Sequence, residues 1–347
     1  MGYRAELTDP VRAHDALVRL WTENLFVTGD LGAKLRWLYV DGPAGAGEMF
    51  VLLCDDEPVG CAGIAVRQLW VGDRPLRAAL LADFVVDRKH RSGLPAILMQ
   101  RAVKRHVTAS FDLTYSFPND RAVAVVRRLG YQELGKMDRY VRVLRHGKYL
   151  EGRYGRPLAT RLAGAMIDRA KLAVRLARTR KLARSVELEW RADVDPRFDR
   201  LAEAMHGYFR VACRRDAAML RWRFLRDANR PVIAALVAKD SRELRAYAMV
   251  RGAPGGLAEI VDLSGDLDAL GELLVLLVPA LYQRGHTAVS FRFLGDPRIA
   301  ALLEAHNFSR RDPNRVVIVN TGLATPAEAA VIRDPRAWYL TDFDEDV

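Results

Sequence analysis

The chain has 347 residues, a formal net charge of +11, an apolar fraction of 50% and 3 cysteines. Its length suffices for two domains of ordinary size. No run approaches the roughly 20 apolar residues of a membrane span, and the longest, Leu270 to Leu281, is interrupted by Glu272 and reads as a buried helix. The opening residues Met1 to Glu6 lack the apolar core of a secretory signal. Cys54, Cys61 and Cys213 show neither paired nor metal-ligand spacing, so a reducing cytoplasm is the expected compartment.

In chain order, helical patterns near Val11 to Glu23 and Gly32 to Tyr39 precede strands at Met49 to Cys54, Val59 to Val71 and Leu76 to Val86. Gly72-Asp73-Arg74-Pro75 makes the turn between the last two. A basic turn, Asp87 to Gly93, leads into a helix from about Leu94 to Thr108. The strand Asp112 to Phe117 then meets Pro118-Asn119, a second helix closing at Leu129-Gly130-Tyr131, and a return strand at Tyr140 to Leu144. N–H groups at the start of the first of these helices point outward unpaired, and the helix dipole adds positive charge, so that turn can hold an anion.

This order resembles the acyl-CoA-binding half of a GNAT N-acyltransferase. The signature of that superfamily is Arg or Gln, two residues, Gly, one residue, then Gly or Ala. Val86 to Ala96 fits it with Arg91 first and Ala96 last, while Leu94 stands where the middle Gly belongs. A register with His90 first restores Gly93 in the middle and puts Pro95 last; the Arg91 register keeps the usual spacing from Val86. Pro95 has no N–H to offer in either.

The resemblance implies acetyl-CoA or another acyl-CoA as cosubstrate, its pyrophosphate held by Arg91, Ser92, Gly93, Leu94 and Ala96. It implies that the pantetheine arm joins Phe84, Val85 and Val86 as an added strand. Asn119 matches the family's Asn, which contacts pantetheine or caps the next helix. The implied reaction moves the acyl group directly to an amine. Asp83 is then either the base that takes the amine proton or a structural carboxylate bonded to a neighbouring loop. Many relatives carry a Tyr four residues before the closing Gly; Val126 stands there, which leaves Tyr115 and Tyr131 as substitute thiolate acids or as core aromatics. The histidines form no ligand spacing, so no metal is expected.

The plan recurs. Leu35-Arg36-Trp37 is matched by Leu220-Arg221-Trp222, and adding 177 maps Thr114 to Phe117 onto Phe291 to Leu294, Asn119 onto Asp296 and Gly130-Tyr131 onto Asn307-Phe308. Strands at Val186 to Trp190, Val232 to Ala238, Leu244 to Val250 and Ala258 to Leu263, helices near Pro196 to Phe209 and Asp216 to Leu225, and a return strand at Val316 to Val319 complete the second copy. Asp268 falls opposite Arg91, and carboxylates at that helix start repel a pyrophosphate. The expected fold is α/β (α+β): two GNAT-like domains in tandem, each a mostly antiparallel mixed sheet flanked by helices. The expected boundaries are 1–150, a basic connector at 151–185, and a degenerate second domain at 186–347.

Between Glu151 and Arg184 ten basic residues face only Glu151 and Asp168, a balance of +8. The segment 158–184 reads as a solvated linker helix, a contact for an anionic membrane surface, or a contact for RNA. The acidic aromatic tail Trp338 to Val347 and Phe117-Pro118-Asn119 are similar to GNAT proteins associated with bacterial surface-polysaccharide synthesis. That implies a cytoplasmic N-acyltransferase whose small-molecule amine acceptor is an amino sugar or nucleotide-linked sugar. The alternatives are a Fem-type aminoacyl transferase using aminoacyl-tRNA and a catalytically silent binding module.

Overall fold

A computed structural model describes residues 2–25, 29–91, 93–145, 179–180, 182–226 and 230–345. The basic connector 158–184 therefore lies almost wholly outside the described residues, as does Ser92. The first half runs β1 (Tyr3–Thr8), α1 (His14–Asn24), α2 (Leu31–Tyr39), β2 (Glu48–Cys54), β3 (Glu57–Val71), β4 (Arg74–Val86), α3 (Leu94–Ser110), β5 (Leu113–Ser116), α4 (Asp120–Arg128) and β6 (Gln132–Val143). The second half runs β7 (Val186–Arg191), α5 (Pro196–Ala204), β8 (Val211–Cys213), α6 (Ala217–Phe224), β9 (Val232–Ala238), β10 (Leu244–Arg251), β11 (Leu257–Gly265), α7 (Leu267–Gln283), β12 (Ala288–Gly295), α8 (Pro297–Ala305) and β13 (Ser309–Asn320). Helix α9 (Pro326–Ile332) and strand β14 (Trp338–Leu340) follow.

Helix starts are set locally. The side chains of Asp30, Asn119, Asp216 and Asp266 each accept a hydrogen bond from the N–H three residues on, opening α2, α4, α6 and α7. All strands join one 14-stranded mixed sheet. The return strands do not close their own halves. β6 lies between β12 and β13, and β13 pairs antiparallel with β5, so the last strand of the second half completes the sheet of the first. The exchange leaves neither half with an open edge at this junction.

Strands β1, β8 and β14 and helix α9 were not anticipated from sequence; β8 and β14 have only three residues each, too few for a period to show. Both matter to the architecture. Following the pairs β3, β4, β5, β13, β6, β12, β14 and β8 leads back to β3, a closed ring of strands. Tyr115 and Trp338, both fully buried, pack within 6.2 Å of one another there.

The repeated Leu-Arg-Trp triplets come together in space. Trp37 Nε1 donates to the Trp222 carbonyl at 2.7 Å, Trp222 Nε1 donates to the Trp37 carbonyl at 2.8 Å, and the rings lie 5.2 Å apart. Each indole thus satisfies its one donor on the opposite half, which makes the pair a reciprocal clasp between α2 and α6. No helix among the described residues is long and apolar enough to cross a membrane.

Candidate active site

Strands β4 and β5 run parallel only from Ala78, Ala79 and Leu80 against Leu113, Thr114 and Tyr115. Beyond that the pairing stops: β5 ends at Ser116, held on its other edge by β13, while β4 stays with β3 as far as Val86. Ser116 Oγ donates to the Leu81 carbonyl at 2.9 Å and marks the fork. Past the fork, no strand among the described residues pairs with the backbone of Ala82 to Val86 on the β5 side of β4. The parted strands enclose a cleft lined by Lys34, Gly63, Asp83, Phe84, Gln100 and Asn119, among others.

Opposite Ala62, β4 carries two residues where β3 carries one: Cys61 faces Val85 and Gly63 faces Ala82, so Asp83 and Phe84 form a bulge. Asp83 sits at φ +51°, the left-handed region that few residues other than Gly, Asn and Asp tolerate. The bulge re-aims its side chain toward α2. Lys34 Nζ donates to Asp83 Oδ1 at 2.6 Å and Tyr39 Oη donates to Asp83 Oδ2 at 2.8 Å. The carboxylate is 4% exposed and Lys34 17%. Space for Tyr39 comes from Gly63, where an added Cβ would fall 2.0 Å from the phenol oxygen.

The other wall supplies an orphan acceptor. Gln100 is buried on α3, lines the cleft, and its Oε1 has no hydrogen-bond partner among the described residues. Such a group is rare in folded proteins and calls for a ligand or water. Asn119 spends its side-chain oxygen on capping α4, accepting from Ala122 N at 3.0 Å, and also borders the cleft.

The turn after β4 differs from the cradle expected. Arg91 donates from Nε to the Val86 carbonyl at 2.8 Å and from Nη2 to Asn24 Oδ1 at 3.1 Å, so it ties the turn to β4 and α1. Gly93 caps α3 at φ +91°, Pro95 follows in the first turn, Ala96 is half-buried, and Leu94 is 66% exposed. Phe84 borders the cleft, while Val85 and Val86 are buried in the sheet.

Neither substitute tyrosine lines the cleft. Tyr115 is buried inside the strand ring and donates to the Asp344 carbonyl at 3.3 Å; burial holds its hydroxyl well above the usual value. Tyr131 packs in a small apolar cluster with Val123, Val126, Val316 and Ile318, and burial raises its hydroxyl also. Both tyrosines are buried among core side chains, and the structure does not bring either into the cleft beside Asp83. Lys34, Tyr39, Ser116 and Gln100 are site residues that the sequence did not reveal. The partnership of Lys34 with Asp83 spans 49 positions and leaves no local pattern. The one available signal was Gly63 inside a strand, a mark of close approach.

The corresponding fork of the second half is occupied by the chain itself. β11 and β12 pair from Leu257–Ile260 to Ala288–Phe291, and β14 then takes the place beside β12. Tyr339 Oη donates to the Leu263 carbonyl, and Thr341 Oγ1 donates to Asp262 Oδ1 at 2.8 Å. Asp262 and Asp344, both fully buried, flank Arg215 at 3.1 and 2.7 Å. Burial alone would lower the Arg215 guanidinium, but the two carboxylates outweigh it and hold the charge. Asp266 and Asp268 stand at the start of α7. Among the described residues no group of three His, Cys, Asp or Glu is placed to hold a metal ion.

No protein-family model and no curated protein matches the chain. Solved structures do. A probable N-acyltransferase from Enterococcus faecalis V583 superposes with a TM-score of 0.64 at 11% identity, over 91% of this chain and 72% of that one. A GCN5-related N-acetyltransferase from Anabaena variabilis gives 0.65 at 12%, over 96% and 75%. Another from Kribbella flavida gives 0.58 at 17%, over 91% and 71%. Similarity at this level of identity speaks to architecture: the chain has the fold of the GCN5-related N-acetyltransferases.

Proposed function

We propose that the chain is an N-acyltransferase that takes an acyl group from a pantetheine thioester, acetyl-CoA being the simplest, and gives it to a small-molecule amine. The observation that carries this reading is the fork between β4 and β5, with the bulge at Asp83 and the unpaired edge from Phe84 to Val86. An extended arm bearing amides can add to that edge as a strand. The unpartnered Gln100 oxygen gives a pantetheine N–H a buried acceptor on the facing wall.

The chemistry follows from the groups at the bulge. The amine nitrogen attacks the thioester carbonyl, a C–N bond forms, and the C–S bond breaks. The nitrogen's surplus proton passes to the Asp83 carboxylate, directly or through one water, with Lys34 and Tyr39 orienting that carboxylate. The thiolate leaves and is protonated by solvent, a modest requirement for a thiol of pKa about 8.5. With β14 and Thr341 in the second fork, one chain holds one donor.

For the acceptor, the reading is an amino sugar or nucleotide-linked sugar in a cytoplasmic reaction. It is supported by the resemblance carried on Phe117-Pro118-Asn119, residues that border the cleft beside Asp83. Calorimetric titration with acetyl-CoA and with S-acetyl-pantetheine tests the donor, and thiol release on adding amino sugars tests the transfer. One site per chain is expected. No binding of either thioester, and no thiol release with any amine, would sink the reading.

A further inference from the structure

An arm lying along Phe84 to Val86 leaves the fork at the start of α3. There the surface suits a protein better than a free pyrophosphate. Leu94, at 66%, is the most exposed of the large apolar side chains on the described surface. Pro95 removes one of the outward N–H groups, and Arg91 spends two of its donors on Val86 and Asn24.

The rest of the helix continues that surface. Leu94, Arg101 and Arg105 are exposed and recur at the spacing of a single helical face, while Leu98 between them packs in part against the core. Arg101 and Arg105 border an open groove with Lys104, Arg128 and Leu129, into which no carboxylate projects among the described residues. Arg101, Arg105 and Arg128 are exposed and make no ion pair or hydrogen bond among the described residues, and Arg88 and Lys89 stand exposed at the mouth of the fork. Clustered like charges of this kind repel one another until an anionic surface covers them. An apolar anchor with a cationic rim is complementary to an acidic helix.

We propose that the donor is delivered by a small acidic protein carrying its acyl thioester on a covalently attached phosphopantetheine arm, which docks on this face of α3 while the arm enters the fork. The proposal rests on the N-acyltransferase reading above. The transfer balances as before: the C–N bond forms, the C–S bond breaks, and the free thiol stays on the carrier's arm.

The test uses the full chain on a biosensor with three analytes: an acetyl-loaded acyl carrier protein, the same carrier without its arm, and acetyl-CoA. The loaded carrier should bind about tenfold or more tightly than acetyl-CoA, the bare carrier more weakly, and added salt should weaken both carriers. The double change Arg101→Glu and Arg105→Glu should cost the loaded carrier about tenfold or more in affinity and leave acetyl-CoA within about twofold. Leu94→Ser should weaken the carrier with no change of charge. Acetyl-CoA binding as tightly as the loaded carrier, or a loaded carrier indifferent to charge reversal in folded protein, overturns the proposal and leaves the transferase reading standing. Absence of binding by all three overturns both.

Discussion

Replacing Gly63 with Ala probes the core of the site through a residue that lines the cleft but carries no side chain of its own. The new Cβ would lie 2.0 Å from Tyr39 Oη and 2.4 Å from Cζ, so the ring must leave its place. Tyr39 is fully buried, and its hydroxyl donates to Asp83 at 2.8 Å. Overpacking costs about 1–3 kcal/mol, and losing a hydrogen bond to a buried carboxylate costs about 1.5–3 kcal/mol. The sum, about 2.5–6 kcal/mol, is a large share of the roughly 5–15 kcal/mol that holds a domain folded. Denaturant unfolding should show the midpoint shift, and thiol-release kinetics should show a fall in rate beyond what the lost stability explains. Tyr39→Phe, which keeps the ring and removes the hydroxyl, should reproduce the hydrogen-bond share alone. A Gly63→Ala protein with an unshifted midpoint and full turnover would refute the placement of Tyr39 over Gly63 and its role in holding Asp83.

Three further outcomes are expected. Asp83→Asn keeps the shape and tolerates φ +51°, so donor affinity should hold while the transfer rate drops about 10²-fold or more; full activity across the pH profile would remove Asp83 from the mechanism. Gln100→Leu removes a buried acceptor that none of the described residues satisfies, so stability should be unchanged or raised while donor affinity falls about three- to tenfold; lost stability with unchanged affinity would contradict its role. Asp296 caps α8 and pairs with Arg298; burial pushes its carboxyl up, but the hydrogen bonds from Arg298 win and hold it below the usual value. Its contribution is therefore present above the ordinary carboxylate range and lost as pH falls through the depressed value, so Asp296→Asn should flatten the fall in melting temperature as pH drops below about 4.

The sequence was most legible where periodicity and punctuation agree. The strand, basic turn and helix from Arg74 to Ser110, the capping role of Asn119 and the buried helix α7 all follow from local pattern. The repeated Leu-Arg-Trp triplet was visible as a repeat, yet its use as a reciprocal clasp depends on a contact across 185 positions. The exchange of β6 and β13 was hidden for a similar reason. A return strand reads the same whichever sheet receives it, since partner choice lies in the register with β5 and β12 and not in the strand's own alternation. Tyr115 and Tyr131 stayed open between thiolate acid and core aromatic, because an aromatic near the expected place carries no sign of which way it faces. Arg91 was found in its expected position but tied to Val86 and Asn24, a bond that spacing cannot foresee.

Backbone hydrogen exchange on adding S-acetyl-pantetheine tests the central claim most directly, because the two forks of the sheet act as each other's control. The account predicts slowed exchange at Ala82 to Val86, where β4 has no partner on the β5 side, and no change at Val261 to Gly265, where β14 and Thr341 already occupy the fork. Protection confined to β11, or the same in both strands, would contradict it.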